Sequence, residues 1–402
     1  MKQYRTIILT IIAVMSVTLL TGCTTFDNFK KAFIDKPEDK SATIEIGVFE
    51  PTTGVDSEAA KAEIKGIELA HDKYPNVNGK IVELIYGDNA SDIYAAETAI
   101  KDLIAKKPAV ILGSYGSVYS MVAGDYILDA KIPTIAITNT NPLVTKNNKY
   151  YFRVCYVDSN QGDLLARYVL EEKKETTAGV LLPKEDDAAM AMATAFTDRM
   201  KVETENEDAI TVYENYKAGA GDFTKQLKAV QASGVKSVLL PGAIDDAAAI
   251  IKQAKKMKLD VTFLGDTQWS TEDFRSLVGS DANEKNTAFI SFVSADAKEN
   301  AENENTAGFI EAYYDKYGSG SEPEDATALG YDAYTIALNA IEKAGADKNG
   351  NAIRKVLDGE YSFEGVSGKI NFNNMGDPIK TAYISTWKNN IMISIYTIEP
   401  TL

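Results

Sequence analysis

From residue 43 onward, short β-branched runs alternate with helix-length amphipathic segments, and few folds accept that order. Residues 43–49, 81–86, 110–112 and 134–137 read as strands, with helices at 57–74, 91–106 and 118–130. Strand, helix and strand in succession predict parallel βαβ units with right-handed crossovers. The alternation resumes after Tyr156, with strands at 179–182, 210–216, 237–240 and 262–264 and helices at 163–171, 190–202, 223–232 and 244–257. In the last of these helices Ile244, Ala247, Ala248, Ile251 and Ala254 recur at three- and four-residue steps and form one buried face. Two doubly wound, Rossmann-like α/β lobes are the expected architecture. About 360 residues are available to build them, more than one ordinary core holds.

Beyond Phe289 the pattern predicts a strand, then helices at 306–317, 326–344 and 352–357. Two strands, 381–388 and 391–398, close the chain around Asn389-Asn390, a turn dipeptide that tolerates positive φ. The acidic, Asn-rich stretch 296–305 reads as a solvated loop.

Composition removes several functions. With 42 basic against 58 acidic residues and a formal net charge of −16, the surface repels phosphate backbones, so nucleic acid is a poor partner. His71 is the single histidine, which restricts zinc sites and Ser-His or Cys-His nucleophile pairs. It falls on a stripe with Ala60, Ile64, Ile67 and Tyr74, so a partly buried, hydrogen-bonded side chain is expected there. No G-x-S-x-G elbow and no phosphate-binding loop occurs. Carboxylates alone can hydrolyse glycosides, but nothing in the chain nominates a pair.

The first residues say where the protein works. Two positive charges lie in residues 1–5, an apolar run too short for an ordinary membrane span covers 6–20, and Leu20-Thr21-Gly22-Cys23 follows. This segment resembles a lipoprotein signal peptide ending in a lipobox, which implies that residues 1–22 are removed and that Cys23 is lipidated. A multiply acylated cysteine is a stable anchor, so the folded part is expected outside a bacterial cytoplasmic membrane, on a tether spanning 23–42. Cys155 is then left without a disulfide partner and reads as a small buried hydrophobe.

Eight segments in register carry a second resemblance. These are 47–54 (GVFEPTTG), 66–70 with Asn78-Gly79-Lys80, 113–117 (GSYGS), 138–142 (TNTNP), Phe152-Arg153 with 158–162 (DSNQG), 263–265 with Trp269, 328–333 (ALGYDA) and 365–370 (GVSGKI). From about Thr43 to the C-terminus the chain resembles the type I periplasmic binding proteins of the leucine-isoleucine-valine class, which deliver amino acids and related solutes to ABC transporters. The resemblance implies two lobes joined by a multi-strand hinge, 43–156 with 290–366 and 157–289 with 367–402. It further implies an ABC permease as partner, a monomer, no enzyme activity, no cofactor and no metal.

An amino acid stripped of water between two lobes needs several hydrogen bonds for each of its charges. Ser117 opens a helix after a strand, where free N–H groups and the helix dipole favour a carboxylate. Thr138, Asn139 and Thr140 form a second such loop. The resemblance places Ser117 and Thr140 on the carboxylate and the Thr138 carbonyl on the ammonium, although the same residue types also serve as caps and turn formers. Tyr115 and Gly116 complete the first loop, and Tyr115 and Trp269 are candidate walls.

The second lobe departs from the family pattern. Thr267 stands where an acidic partner for the ammonium is usual, with Asp266 one position earlier. The usual covering tyrosine falls near Asp187 or Ala188, by the acidic run Glu185-Asp186-Asp187, and the aromatic usual just beyond the first turn becomes Ala59. Such a pocket favours a cationic or larger polar ligand over leucine, with Asp187 and Asp266 as its carboxylates. The same fold also serves sensors and regulators of envelope enzymes, and a surface hydrolase would use the carboxylates at Asp186, Asp187 and Asp266.

Overall fold

The computed structural model describes residues 33–34, 43–294, 304–318, 323–345, 349–359 and 362–399. The leader, Cys23, the tether apart from residues 33–34 and most of the acidic 296–305 stretch lie outside the described residues.

The first half builds a six-stranded sheet from β1 (Thr43–Glu50), α1 (Ser57–Lys73), β2 (Asn76–Val77), β3 (Lys80–Asp88), α2 (Ile93–Ala105), β4 (Val110–Gly113), α3 (Ser117–Ala130), β5 (Thr134–Ala136) and β6 (Tyr151–Arg153). The strand order is β2-β3-β1-β4-β5-β6, parallel except for the edge strand β2. Because both faces of a parallel sheet are covered by crossover helices, β1 reads as a nearly continuous apolar run, with Ile44, Ile46, Val48 and Phe49 buried.

The second half repeats the plan with α4 (Asp158–Glu171), β7 (Ala178–Pro183), α5 (Asp187–Thr204), β8 (Ile210–Tyr216), α6 (Thr224–Ser233), β9 (Ser237–Leu239), α7 (Ile244–Lys256), β10 (Thr262–Gly265), α8 (Glu272–Val278) and β11 (Thr287–Ser291). Then come α9 (Glu304–Tyr317), α10 (Asp325–Ala344), α11 (Gly350–Leu357), β12 (Phe363–Gly365), β13 (Gly368–Phe372), β14 (Pro378–Lys380), β15 (Ala382–Lys388) and β16 (Ile391–Ile398). The second sheet runs β16-β15-β11-β10-β9-β7-β8, its last two strands antiparallel, and Asn389 (φ 52) and Asn390 (φ 64) make the tight turn between them. β11 stays in this sheet to Ser291, past the expected crossing at 289/290. β13 and β14 pair with β12 in a separate three-stranded sheet, so the chain rejoins the second sheet at Ala382, not at 367.

Helices α1 and α10 cover the first sheet and approach each other backbone to backbone. A Cβ on Gly66 would lie 2.0 Å from the Thr327 carbonyl oxygen, and one on Gly330 would lie 2.3 Å from that of Glu63. His71, on α1, is half-buried, with Nε2 3.0 Å from the Val82 carbonyl oxygen and its ring edge-on to Tyr334. One apolar cluster continues from this face of the first sheet to the α4 and α5 face of the second, through Val154, Tyr156, Phe292 and Ile384.

Three chain crossings join the sheets, and Lys380 is buried among them. Its ammonium donates to Ser367 Oγ (2.6 Å) and the Val154 carbonyl (3.4 Å) and lies 5.2 Å from the centre of the Phe292 ring. Burial pulls its pKa down to about 8 against the pull of the Asp332 carboxylate.

Candidate functional site

In a doubly wound sheet the binding crevice lies beyond the carboxyl ends of the strands, where the winding reverses. That reversal falls between β1 and β4 in the first sheet and between β7 and β9 in the second. Loops after β4, β5, β7, β9 and β10 line one cavity of about 610 Å³ between the two lobes.

The first wall is made of hydroxyls and backbone donors. Gly116 (φ 83) turns the chain into α3, whose first N–H groups have no intrahelical acceptor. Tyr115, Gly116, Ser117, Thr138 and Thr140 all line the cavity. Arg153, fully buried behind them, sets the second loop: Nη1 donates to the carbonyls of Asn139 (2.5 Å) and Asn141 (2.9 Å), Nη2 to Thr145 Oγ1 (2.8 Å), and Nε pairs with Asp377 Oδ1 (2.7 Å).

Beneath both loops lies a buried acid pair that sequence reasoning missed. Glu50, at the end of β1, accepts from the Tyr115 N–H at 2.6 Å, while Glu63, on α1, accepts from the Thr138 hydroxyl. The remaining oxygens, Glu50 Oε1 and Glu63 Oε2, have no donor except a proton shared between the two carboxyls. Burial, with the Glu63 charge adding to it, pushes Glu50 well above the carboxylate range; burial raises Glu63 to about 7. Glu50 therefore holds the proton and Glu63 accepts it.

The second wall is acidic. Asp158 begins α4, where burial raises its pKa against a hydrogen bond from Thr140. Asp186 caps α5 through the Ala189 N–H (2.9 Å), and Asp266 caps a short 3-10 turn through the Gln268 N–H (2.8 Å). Burial raises Asp266 to about 7, with the charges of Asp158 and Asp186 adding to the shift. Thr267 donates its N–H to Gln161 Oε1 (3.1 Å), which fixes this turn against α4. At the hinge end, Asp325 accepts from the Phe292 N–H and the Ser270 hydroxyl, both at 3.0 Å. Cys155 also lines the cavity, with its thiol pushed up to about 12 by burial.

Asp266 and Thr267 thus line the cavity as expected from sequence, but three expected residues do not. Asp187 is exposed on the first turn of α5, and its neighbour Asp186, the cap, faces the ligand space instead. Asn139 is buried behind the loop, where its carbonyl serves Arg153 and Cys155. Trp269 lies wholly in the core, stacked on Phe274 at 4.5 Å. Gly265 makes room for it, since a Cβ there would lie 2.1 Å from the indole. Asp158 and Gln161, by contrast, belong to a motif assigned to the lobe crossing, and their place at the opening of α4 was the available signal.

Two α/β lobes whose switch points share a polar cavity define a two-lobed solute-binding protein. The chain belongs to the periplasmic binding protein family, whose profile, described as "Periplasmic binding protein", matches residues 43–390. That family works outside the cytoplasmic membrane and is one of binding proteins, not of enzymes. The chain is 24% identical over 347 residues to a Leu/Ile/Val-binding protein homolog of Brucella abortus, covering 85% of this chain and 90% of that one. It is 26% identical over 347 residues to the leucine-, isoleucine-, valine-, threonine- and alanine-binding protein of Pseudomonas aeruginosa, covering 83% and 87%. Among solved structures, the branched-chain amino acid transporter substrate binding protein of Streptococcus pneumoniae in complex with isoleucine superposes with a TM-score of 0.73 at 28% identity, covering 89% and 100%. Among the described residues no helix is long and apolar enough to cross a membrane.

Proposed function

We propose that this protein is the substrate-binding component of an ABC importer, capturing an amino acid between its lobes and presenting it to a membrane permease. The observation that carries this reading is the division of the cavity into a wall of hydroxyl and N–H donors and a facing wall of carboxylates. A zwitterion matches that division, its carboxylate against the first turn of α3 and its ammonium against the second lobe. The names of the relatives and the isoleucine bound to the pneumococcal protein support the same class of ligand. Only the closed arrangement lets both lobes touch the ligand, so binding shifts the population toward closure. Ser117, Thr138, Thr140, Tyr115, Gly116, Asp266 and Thr267 are the contacts we assign. The protein acts as a monomer tethered through a lipidated Cys23.

A thermal-shift panel of amino acids, amides, polyamines and organic acids tests the reading. A concentration-dependent rise for an amino acid, matched by calorimetry, is the expected outcome; no rise from any amino acid refutes it. For the anchor, Cys23→Ser should move the protein from the membrane to the soluble fraction, and unchanged membrane association would refute lipidation at that residue.

A further inference from the structure

Among the described residues, every charged side chain that lines the interlobe cavity is acidic: Asp158, Asp186, Asp266, Glu324 and Asp325. No described Lys, Arg or His lines it. The donors that reach these carboxylates are neutral, namely backbone N–H groups, Gln268, Thr140 and Ser270. Two buried cations stand behind the walls, Arg153 paired with Asp377 and Lys380 bonded to Ser367; their charges reach Asp158 and Asp325 but leave Asp186 and Asp266 without a basic partner among the described residues. Once Asp266 is ionised, above about pH 7, one ligand ammonium leaves this wall negative, and burying uncompensated carboxylates is costly.

Two observations narrow the compensating charge. No cluster of carboxylates in the described residues converges closely enough to hold a metal ion, so the charges to be met are spread along the cavity. The opposite wall offers hydroxyls and the open start of α3, which suit a carboxylate and have nothing to offer a third amine. We infer that the cavity takes an α-amino acid whose side chain ends in a second cationic group, its carboxylate at Ser117 and its two cations along Asp158, Asp186 and Asp266. This inference rests on the amino-acid reading above and names the ligand class within it.

Calorimetry on the purified full chain with lysine, arginine, ornithine, leucine, isoleucine and spermidine, at pH 5.5 and pH 8, tests it. A dibasic amino acid should bind at least tenfold more tightly than leucine or isoleucine. Its affinity should rise with pH, because burial and the neighbouring charges of Asp158 and Asp186 keep Asp266 protonated until about pH 7 and only the ionised carboxylate attracts a cation. Asp266→Asn keeps an oxygen for the Gln268 N–H, so the turn survives; it should weaken the dibasic ligand at least tenfold at pH 8 and remove most of the pH dependence. Asp158→Asn, on a different element, should weaken it in the same direction. Tight binding of leucine or isoleucine with none of lysine, arginine or ornithine overturns this inference and leaves the amino-acid reading standing. Binding of spermidine alone, or of nothing, overturns this inference, and the amino-acid reading falls with it only if the wider amino-acid panel also gives no rise.

Discussion

Asp377→Asn removes the negative charge paired with a guanidinium that holds a binding loop in place. Arg153 is fully buried and makes three hydrogen bonds besides its 2.7 Å contact to Asp377, whose other oxygen-sharing partner is the Thr145 hydroxyl at 2.9 Å. Removing one member of a buried pair strands the other, at a cost of about 3–5 kcal/mol. The lower end applies here, since the carbonyls of Asn139 and Asn141 keep part of the cation solvated. For a fold of about 360 residues the unfolding entropy near the midpoint is roughly 0.75 kcal/mol per degree, so Tm should fall by about 4–6 °C. Differential scanning calorimetry of the unliganded protein reads this directly, and chemical denaturation gives the free energy. Because the same side chain sets the carbonyls on either side of Thr140, affinity for the ligand should fall as well. Adding Arg153→Met to Asp377→Asn should cost less than the two single effects together, by about 1–3 kcal/mol. A fall below about 1 °C for Asp377→Asn, or strict additivity in the double variant, would refute the reasoning.

Gly330→Ala places a Cβ against the Glu63 carbonyl where α1 and α10 touch, so a loss of about 1–3 kcal/mol is expected in urea unfolding. Glu63 has its pKa raised from 4.5 to about 7 in the folded protein, so its contribution to stability is complete below pH 4.5 and is lost as pH rises through 7. Tm of the unliganded protein should therefore decline over that window, and Glu63→Gln should flatten the decline. Thr138→Val takes away the hydroxyl that Glu63 accepts from, and should cost about 1–3 kcal/mol, with the larger loss above pH 7 where Glu63 is ionised. Trp269→Phe should lower Tm while leaving ligand affinity within about twofold, because the indole packs on Phe274 and away from the cavity; a tenfold change in affinity would return Trp269 to the binding wall.

The alternation of strands and helices was legible because long parallel strands and amphipathic helices write themselves into periodicity, and β1, β8 and α7 fall within a residue or two of their expected bounds. Short strands were legible only where an apolar run sits between two helices, as in β4, β5, β9 and β10. β2, β6 and the β12–β13–β14 sheet lack that setting and were missed, and Arg153, at the end of what proved to be a strand, reads as surface until its partners close over it. The donor loops after β4 and β5 could be read from their Gly, Ser and Thr at strand ends. Glu63 could not: a charged residue on an amphipathic helix looks solvated, and only the closure of α1 over Glu50 and Thr138 explains its burial. Asp187 and Asp186 differ by one position, and the choice between them belongs to the N-cap of α5. Trp269 follows a strand end, as a ligand wall would, but the bare backbone at Gly265 draws it inward.

Lys380 gives the joint between the lobes a mechanical character. One crossing contributes the Val154 carbonyl to its ammonium, a second contributes the Phe292 ring, and the third carries the lysine itself. A desolvated cation with few alternative partners resists being pulled off any of them, so the three strands cannot slide lengthwise past one another without uncovering it. Shear is suppressed while bending and twisting about that point remain open. The joint behaves less like three parallel straps than like a gimbal, with a single ammonium near its stationary centre.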